Sequence, residues 1–186
     1  MHYIHQKSYN VFINQETSLH SLVELAISSV EYFVECGKPF PTPDPLPRSL
    51  KQNAGVFVSI KQSGSLRGCI GTITPKYKNL AEEVIQNAFR AASQDPRFKP
   101  IQQRELPFLT FSVDVLTPLE KIDSLDGHNI KQFGLLIQGQ GKQGLLLPDL
   151  ENIKSAEQQL KICMKKGGFS HSDQYKLYRF KVKRFT

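Results

Sequence analysis

The chain has 186 residues, 39% of them hydrophobic and 22% charged, a composition that indicates a packed globular core and excludes a disordered polymer. Its longest apolar runs, such as residues 145–147, are too short to span a bilayer, and the opening MHYIHQKSYN lacks the apolar stretch of a secretory signal. The formal net charge of +7 suits either an anionic partner or an ordinary solvated surface. Three widely separated cysteines, an odd number, predict reduced thiols in the cytoplasm rather than a disulfide framework.

The first predicted elements are a helix over residues 18–36 and a proline-rich loop over residues 38–48. Ser18 can cap the helix at its start, and Gly37 can end it in a left-handed turn. The loop holds five prolines in eleven residues, which remove backbone donors and predict an extended surface segment, either a connector or a lid. The stripe that predicts the helix has apolar residues at steps of three and four: Leu19, Leu22, Val23, Ala26, Val30, Phe33 and Val34.

A pattern of hairpin, proline, helix and strand then occurs twice. The first round has strands at 55–60 and 66–74, a helix at 79–92 and a strand through 111–115. The second has strands at 133–137 and 144–147, a helix at 155–166 and a strand at 176–185. We predict an α+β fold of two repeated units packed as one body, mainly antiparallel sheet flanked by helices. The predicted single domain, 1–186, has lobes at about 50–117 and 130–186, with the helix at 18–36 packing across them.

The motif LRGCIG, at residues 66–71, places a cysteine next to a guanidinium. Side chains two positions apart share a face of a strand, so Arg67 and Cys69 are predicted to lie on one face with their Cα atoms roughly 7 Å apart. Leu66 and Ile70 are predicted to mark the opposite, core-facing side. A guanidinium at this distance favours the thiolate over the thiol and increases reactivity.

The sequence is compatible with three roles for Cys69. Gly68 and Gly71 flank it and leave room for a ligand or another backbone, which fits a catalytic nucleophile or a thiol that contacts a ligand. Cysteine is also among the residue types most often buried, which fits structural packing. The sequence shows no neighbouring histidine that would serve as its base.

A second candidate is the motif DPRF at residues 95–98. Asp95 before a proline favours a turn, and the planar fork of Arg97 suits a carboxylate or phosphate. An ion pair that fixes the turn and a ligand-binding role are both open, and they are compatible if Arg97 converges with Arg67.

The remaining chemistry-bearing residues give weaker signals. Only His2 and His5 stand close together among the histidines, and no CxxC is present, so we predict neither a metal site nor a cofactor. The C-terminal strand carries a basic face with Arg179, Lys181 and Lys183. Basic strands can bind RNA, but lysines also protect edge strands from aggregation, and we favour the second explanation and predict no nucleic-acid partner.

Taken in order, several segments resemble the AMMECR domain family, whose bacterial and archaeal members are called AmmeMemoRadiSam system protein A. The resemblance extends over residues 18–185, and its family motif residues fall on 66–71 and 95–98, with further recurring positions at Glu83 and Asn87. The segments that carry it are GVFVSI, LRGCIGTI, AEEVIQNAFRAASQDPRF, FSVDVL, GLLLPDL and YRFKV. The chain departs from the family around 126–132 and at Cys163, where a small residue is common.

The resemblance implies an α+β fold of two repeated units and an association with a MEMO-type protein and a radical SAM protein. It implies no established biochemical activity. We therefore expect an accessory or binding protein that takes an anionic small molecule or a partner protein in a cleft lined by the two motifs. The alternative is an enzyme that uses the Cys69 thiolate as a nucleophile or redox group. The expected site consists of Cys69 as the catalytic candidate and Arg67, Gly68, Gly71, Asp95 and Arg97 as binding residues.

Overall fold

The computed structural model of the chain describes residues 20–186. The predicted helix cap Ser18, the pair His2 and His5, and the opening segment judged not to be a signal lie outside the described residues. The elements are α1 (His20–Cys36), β1 (Val56–Gln62), β2 (Ser65–Gly71), α2 (Leu80–Ser93), β3 (Leu109–Leu116), β4 (Glu120–Ile122), β5 (Gly134–Gly139), β6 (Lys142–Leu146), α3 (Ala156–Gly167), β7 (Lys176–Phe180) and β8 (Val182–Phe185), with short 3-10 helices at Arg48–Leu50 and Gln103–Phe108.

The strands form two four-stranded sheets, with orders β2-β1-β3-β8 and β4-β7-β5-β6. β1 pairs antiparallel with β2, and β5 pairs antiparallel with both β6 and β7. In each sheet a hairpin is followed by a helix and then by a strand that lies beside the first strand of the hairpin. The α+β class and the repeated hairpin–helix–strand order are therefore confirmed.

The chain divides into two compact units. Unit 1 consists of the residues up to Val113 together with Arg184–Thr186, and unit 2 consists of Asp114–Lys183. The divisions fall within β3 and within β8. Both motifs singled out in the sequence belong to unit 1.

Helices α1 and α2 form as their sequences predict. The Gly37 N–H donates to the Phe33 carbonyl at 2.7 Å, and a φ of 70° at this glycine ends α1. Asn79 caps α2 by accepting from the Glu82 N–H at 2.9 Å. The two helices and β1 bury a shared set of apolar side chains that includes Leu25, Ala26, Val30, Val56, Val58, Ile60, Val84 and Ala88.

A glycine in the second strand of each hairpin lets the following helix approach closely. A Cβ atom on Gly68 would fall against the Ala91 carbonyl oxygen of α2, and one on Gly144 would fall against the Cys163 carbonyl oxygen of α3. Both close approaches need a residue without a side chain. The two repeats therefore share this packing of strand against helix as well as the order of their elements.

Strand β2 departs from simple alternation. Ile60 pairs with Gly68 and Lys61 pairs with Leu66, so the register shifts and Arg67 becomes the extra residue of a β-bulge. The bulge breaks the face assignment at that point, and Leu66 is 42% exposed. The prediction that Leu66 marks the core side is therefore wrong.

The final predicted strand is also different from the prediction. Residues 176–185 form two strands, β7 and β8, that break at Lys181 and belong to different sheets. Within unit 2, Arg179 forms an ion pair with Glu120 at 2.6 Å. The Arg179 Cζ lies 4.5 Å from the centroid of the Phe133 ring, and the Lys181 Nζ lies 5.2 Å from it.

The proline-rich loop is anchored at both ends. The buried Phe40 ring packs edge-on against Tyr32, with ring centroids 5.5 Å apart. The side chain of Leu50 is buried, and the Gln52 carbonyl accepts from the Leu80 N–H at 2.8 Å. These contacts fix Phe40, Leu50 and Gln52 to unit 1.

Candidate functional site

The DPRF motif closes the open edge of β2 at Cys69. β2 is the outermost strand of its sheet. The Cys69 N–H donates to Asp95 Oδ2 at 2.9 Å, and the Cys69 carbonyl accepts from Arg97 Nη2 at 3.2 Å. The two side chains therefore satisfy the backbone groups that a neighbouring strand would otherwise satisfy. The two sequence motifs meet at a single residue.

Asp95 and Arg97 also bind each other. Arg97 Nε donates to Asp95 Oδ1 at 2.9 Å and Nη2 donates to Oδ2 at 2.6 Å, which makes the pair bidentate. The Asp95 side chain is only 1% exposed, whereas that of Arg97 is 52% exposed. The carboxylate is thus a buried structural anchor, and the guanidinium extends from it to the surface.

These contacts set the ionisation of the pair. The hydrogen bond from Arg97 lowers the pKa of Asp95 to about 2, and the N–H groups of Cys69 and Arg97 add to this effect against the opposing cost of burial. The same hydrogen bond raises the pKa of Arg97, to which the charges of Asp95 and of Cys69 make smaller contributions. Both groups therefore stay charged throughout the physiological range.

Arg67 is held by a carboxylate that the sequence did not reveal. Its Nε donates to Glu105 Oε1 at 2.7 Å and its Nη2 donates to Oε2 at 3.1 Å. Glu105 lies in the 3-10 helix Gln103–Phe108, where it also accepts from the Gln102 N–H at 2.9 Å in a capping box. The hydrogen bond from Arg67 lowers the pKa of Glu105.

The two arginines converge on Phe98. The Arg67 Cζ lies 5.8 Å from the ring centroid and the Arg97 Cζ lies 5.4 Å from it, both within cation–π range. Nη1 of Arg67 is buried and has no hydrogen-bond partner in the described part of the chain. The convergence of Arg67 and Arg97, under which the two roles of Arg97 are compatible, is present, and the Phe98 ring lies at its centre.

The Cys69 thiol lies on a half-buried part of β2. Ser59, its direct partner on β1, donates its hydroxyl to Sγ at 3.2 Å. A hydrogen bond donated to the sulfur favours the thiolate form. The other cysteines differ: Cys36 is exposed, and Cys163 is completely buried, which raises the pKa of its thiol to about 12.

The two flanking glycines make room for protein atoms. Gly68 faces the backbone of α2 at Ala91, and Gly71 lies beneath the ring of Phe57, its cross-strand partner. The space that the sequence suggested for a ligand is occupied on these two sides. Their part in ligand binding stays a prediction.

A buried polar network joins the residue after β2 to α2. The Thr72 hydroxyl donates to the Glu83 carboxylate, which also accepts from the N–H groups of Lys76 and Tyr77 at 2.9 and 3.0 Å. Asn87 Nδ2 donates to Thr72 Oγ1 at 3.2 Å. Glu83 is 1% exposed and Asn87 is fully buried. The network fixes the end of β2 and the following turn to α2.

Sequence reasoning missed Glu105 and Ser59. The spacing of Gln102 and Glu105 carries the signature of a capping box, which was the one local signal for the 3-10 helix. Its contact with Arg67, 38 residues away in the chain, has no local signal. Among the described residues, no group of three or more His, Cys, Asp or Glu side chains is arranged to hold a metal ion.

The fold and site define an α+β protein with a duplicated hairpin–helix–strand unit and a cysteine strand closed by an Asp–Arg pair. The model of the AMMECR1 family matches residues 23–185. The chain therefore belongs to the AMMECR1 family. None of the described helices is long and apolar enough to cross a membrane.

Relatives and a solved structure agree with this assignment. A protein of Thermotoga maritima is 40% identical over 169 residues, which cover 89% of this chain and 97% of that protein. A protein of Clostridium acetobutylicum is 39% identical, and the match covers 87% of this chain but only 35% of that protein. The crystal structure of an uncharacterized protein from Pyrococcus horikoshii is similar with a TM-score of 0.75 and 29% identity, covering 88% of each chain.

Proposed function

We propose that this protein is an accessory binding component of a cytoplasmic system that also contains a MEMO-type protein and a radical SAM protein. It binds an anionic small molecule or a partner protein at the surface where the LRGCIG and DPRF motifs meet. Membership of the AMMECR1 family supports this role. The three cysteines, all present as thiols, are consistent with a reducing compartment.

The observation that carries the proposal is the convergence of Arg67 and Arg97 on Phe98 beside Cys69. Arg97 is held in a bidentate ion pair with the buried Asp95, so its orientation is fixed before any ligand arrives. Fixed donors lose little conformational entropy on binding. The arrangement therefore has the preorganisation of a binding surface.

Charge alone does not define the ligand. The two arginines are matched by two carboxylates, those of Glu105 and Asp95, so the four side chains sum to no net charge. Recognition by this surface depends instead on short-range hydrogen bonds from guanidinium N–H groups and on contact with the Phe98 ring. An oxygen-rich ligand with an apolar neighbour fits both.

Co-purification tests the proposal. The protein would be expressed with an affinity tag together with the MEMO-type and radical SAM proteins of the same genome. We expect the wild type to retain a partner and Arg97→Met to lose it at least about tenfold. Arg179→Met is the matched control, because Arg179 also combines a bidentate ion pair with a ring contact, but in unit 2. Retention of neither partner by the wild type, or equal retention by both variants, contradicts the proposal.

A second candidate function is covalent or redox chemistry at Cys69. The observation that favours it is the hydroxyl of Ser59, which donates to Sγ at 3.2 Å. A donated hydrogen bond favours a thiolate, which is the nucleophilic form. A reaction of this kind places Cys69 in contact with the substrate and Ser59 behind it.

Alkylation kinetics test this second function. Cys36 is an internal reference, because it is an exposed thiol in the same chain. A nucleophilic role predicts that iodoacetamide modifies Cys69 faster than Cys36 at about pH 6.5, and that Ser59→Ala removes most of the difference. A slower reaction of Cys69 than of Cys36 across the pH range contradicts it.

A further inference from the structure

The segment that holds Arg67 lies at the surface of unit 1, where it contacts α1 and β2. The 3-10 helix Gln103–Phe108 has no buried residue, and the side chain at its end, Phe108, is 63% exposed. Its specific tie to β2 is the ion pair between Glu105 and Arg67. We call residues 102–108 the latch. Segments with few buried contacts open at low cost in free energy.

The latch leaves one hydrogen-bond donor of the Arg67 guanidinium, Nη1, without a partner in the described residues. Glu105 occupies the side of the guanidinium formed by Nε and Nη2. Nη1 is buried without a hydrogen-bond partner in the described residues, which is an unfavourable state for a charged donor. A second carboxylate that approached through Nη1 and Nη2 would satisfy this donor, and it would compete with Glu105 for Nη2.

Two exposed apolar side chains flank this ion pair along the chain. Leu66 directly precedes Arg67 and is 42% exposed, and Phe108 follows Glu105 by three positions. A small anion at Arg67 would leave both side chains in water. A polypeptide that brought a carboxylate to Arg67 would cover them, and burial of apolar surface adds to affinity.

We propose that Arg67 is a receptor for a carboxylate of an acidic polypeptide segment with apolar neighbours, and that Glu105 keeps the receptor closed until that carboxylate displaces it. This inference rests on the proposed binding function and names its partner class. The net charge of +7 favours the approach of such a segment. Opening breaks the ion pair between Glu105 and Arg67 and the contacts of the latch with α1, and it moves no fully buried residue of the 3-10 helix.

Peptide binding tests the receptor. Two fluorescent peptides would be compared that differ only in a central glutamate or glutamine between leucines. We expect the glutamate peptide to bind Glu105→Ala at least about tenfold more tightly than it binds the wild type, because removal of an internal competitor increases the open fraction. Glu31→Ala is the matched control, since it removes the same charge from an exposed position on α1.

Two results of the peptide-binding comparison would overturn the proposal. Equal affinity of Glu105→Ala and Glu31→Ala, or an equal gain for the glutamine peptide, overturns the proposal. Acetate should displace the glutamate peptide only at a concentration at least about tenfold higher than an unlabelled peptide requires. Equal displacement by acetate overturns the assignment to a polypeptide.

A measurement on the wild type covers the case in which Glu105→Ala does not fold. In a protein with ¹⁵N-labelled arginine, saturation with the glutamate peptide should shift the Nε–H resonance of Arg67, which now donates to Glu105. The Nε–H resonance of Arg97, held by the buried Asp95, should move less. An unchanged Arg67 signal at saturation overturns the proposal.

The inference and the proposed function fail in different ways. If no peptide binds but the MEMO-type or radical SAM protein still co-purifies, the proposed latch is contradicted and the proposed binding role is not. Tightened peptide binding by Glu105→Ala without any co-purification supports the receptor and removes the named partners.

Discussion

The Asp95 carboxylate accepts a hydrogen bond from the backbone N–H of Cys69 at 2.9 Å, across 26 residues of sequence. This bond joins the LRGCIG and DPRF motifs into one site. It also explains why a buried carboxylate follows α2, since Asp95 satisfies an N–H at the outer edge of β2 that no strand reaches. The position of the thiol thus depends on an ionised side chain.

Asp95→Asn should destabilise unit 1 by about 2–3 kcal/mol at neutral pH, because an amide places donors against the Cys69 N–H or the Arg97 guanidinium. The pKa of Asp95 is lowered from 3.8 to about 2 in the fold, so its stabilisation of about 2 kcal/mol is complete above about pH 5 and is lost as the pH falls through 2. Urea titrations followed by circular dichroism should show the difference from wild type shrinking below pH 4.

The control for this experiment is Asp123→Asn, because the Asp123 side chain is 97% exposed. It should change the free energy of unfolding by less than about 0.5 kcal/mol at either pH. A difference between wild type and Asp95→Asn that persists undiminished at pH 2 would contradict the assignment of the effect to the ionised carboxylate.

Gly68→Ala should destabilise unit 1 by about 1–3 kcal/mol, because the new Cβ would meet the Ala91 carbonyl oxygen and push β2 away from α2. Ser65→Ala, at an exposed position of the same strand, is the control. Urea unfolding measures both. Equal midpoints for the two variants would show that β2 and α2 have room to separate.

Phe98→Leu should cost about 1–2 kcal/mol, since it removes the ring that both guanidiniums contact but keeps a comparable apolar volume. Phe108→Leu is the matched control, because the Phe108 ring is mostly exposed. Thermal melts of the two variants give the comparison. A larger effect for Phe108→Leu would place the stabilising aromatic contact in the latch instead.

Glu83→Gln should destabilise unit 1 by about 2–3 kcal/mol, because the amide turns a donor toward the Thr72 hydroxyl or toward the N–H groups of Lys76 and Tyr77. Hydrogen exchange of those two amides should accelerate relative to Glu31→Gln, an exposed control. Unchanged protection at both amides would mean that the carboxylate does not hold the turn.

The local signals in the sequence predicted the helices well. Asn79 and Ser155 cap α2 and α3 through the N–H groups three residues later, and Gly168 ends α3 with a φ of 68°. Each of these features is decided by residues within one or two turns. The repeat could be predicted because the same local order of elements occurs twice.

The failures come from interactions that no local pattern encodes. The bulge at Arg67 depends on pairing with β1, and it moved Leu66 to the surface against its hydrophobicity. β4 has three residues, too few to show alternation. The sequence does not reveal Glu105, because its role is the ion pair with Arg67, which lies far away in the chain. The residues that meet at Cys69 could therefore be named where a motif contained them, and they were missed where only the fold brings them together.

The most direct test of the site at which the LRGCIG and DPRF motifs meet is alkylation of the folded protein, with the modified residues identified by peptide mass mapping. If the thiol lies on a surface that solutes reach, iodoacetamide should modify Cys69 in the folded protein at a rate within about a hundredfold of the exposed Cys36. Cys163, buried with a thiol pKa of about 12, should stay unmodified until urea unfolds the chain. Modification of Cys69 only together with Cys163 on unfolding would contradict the account.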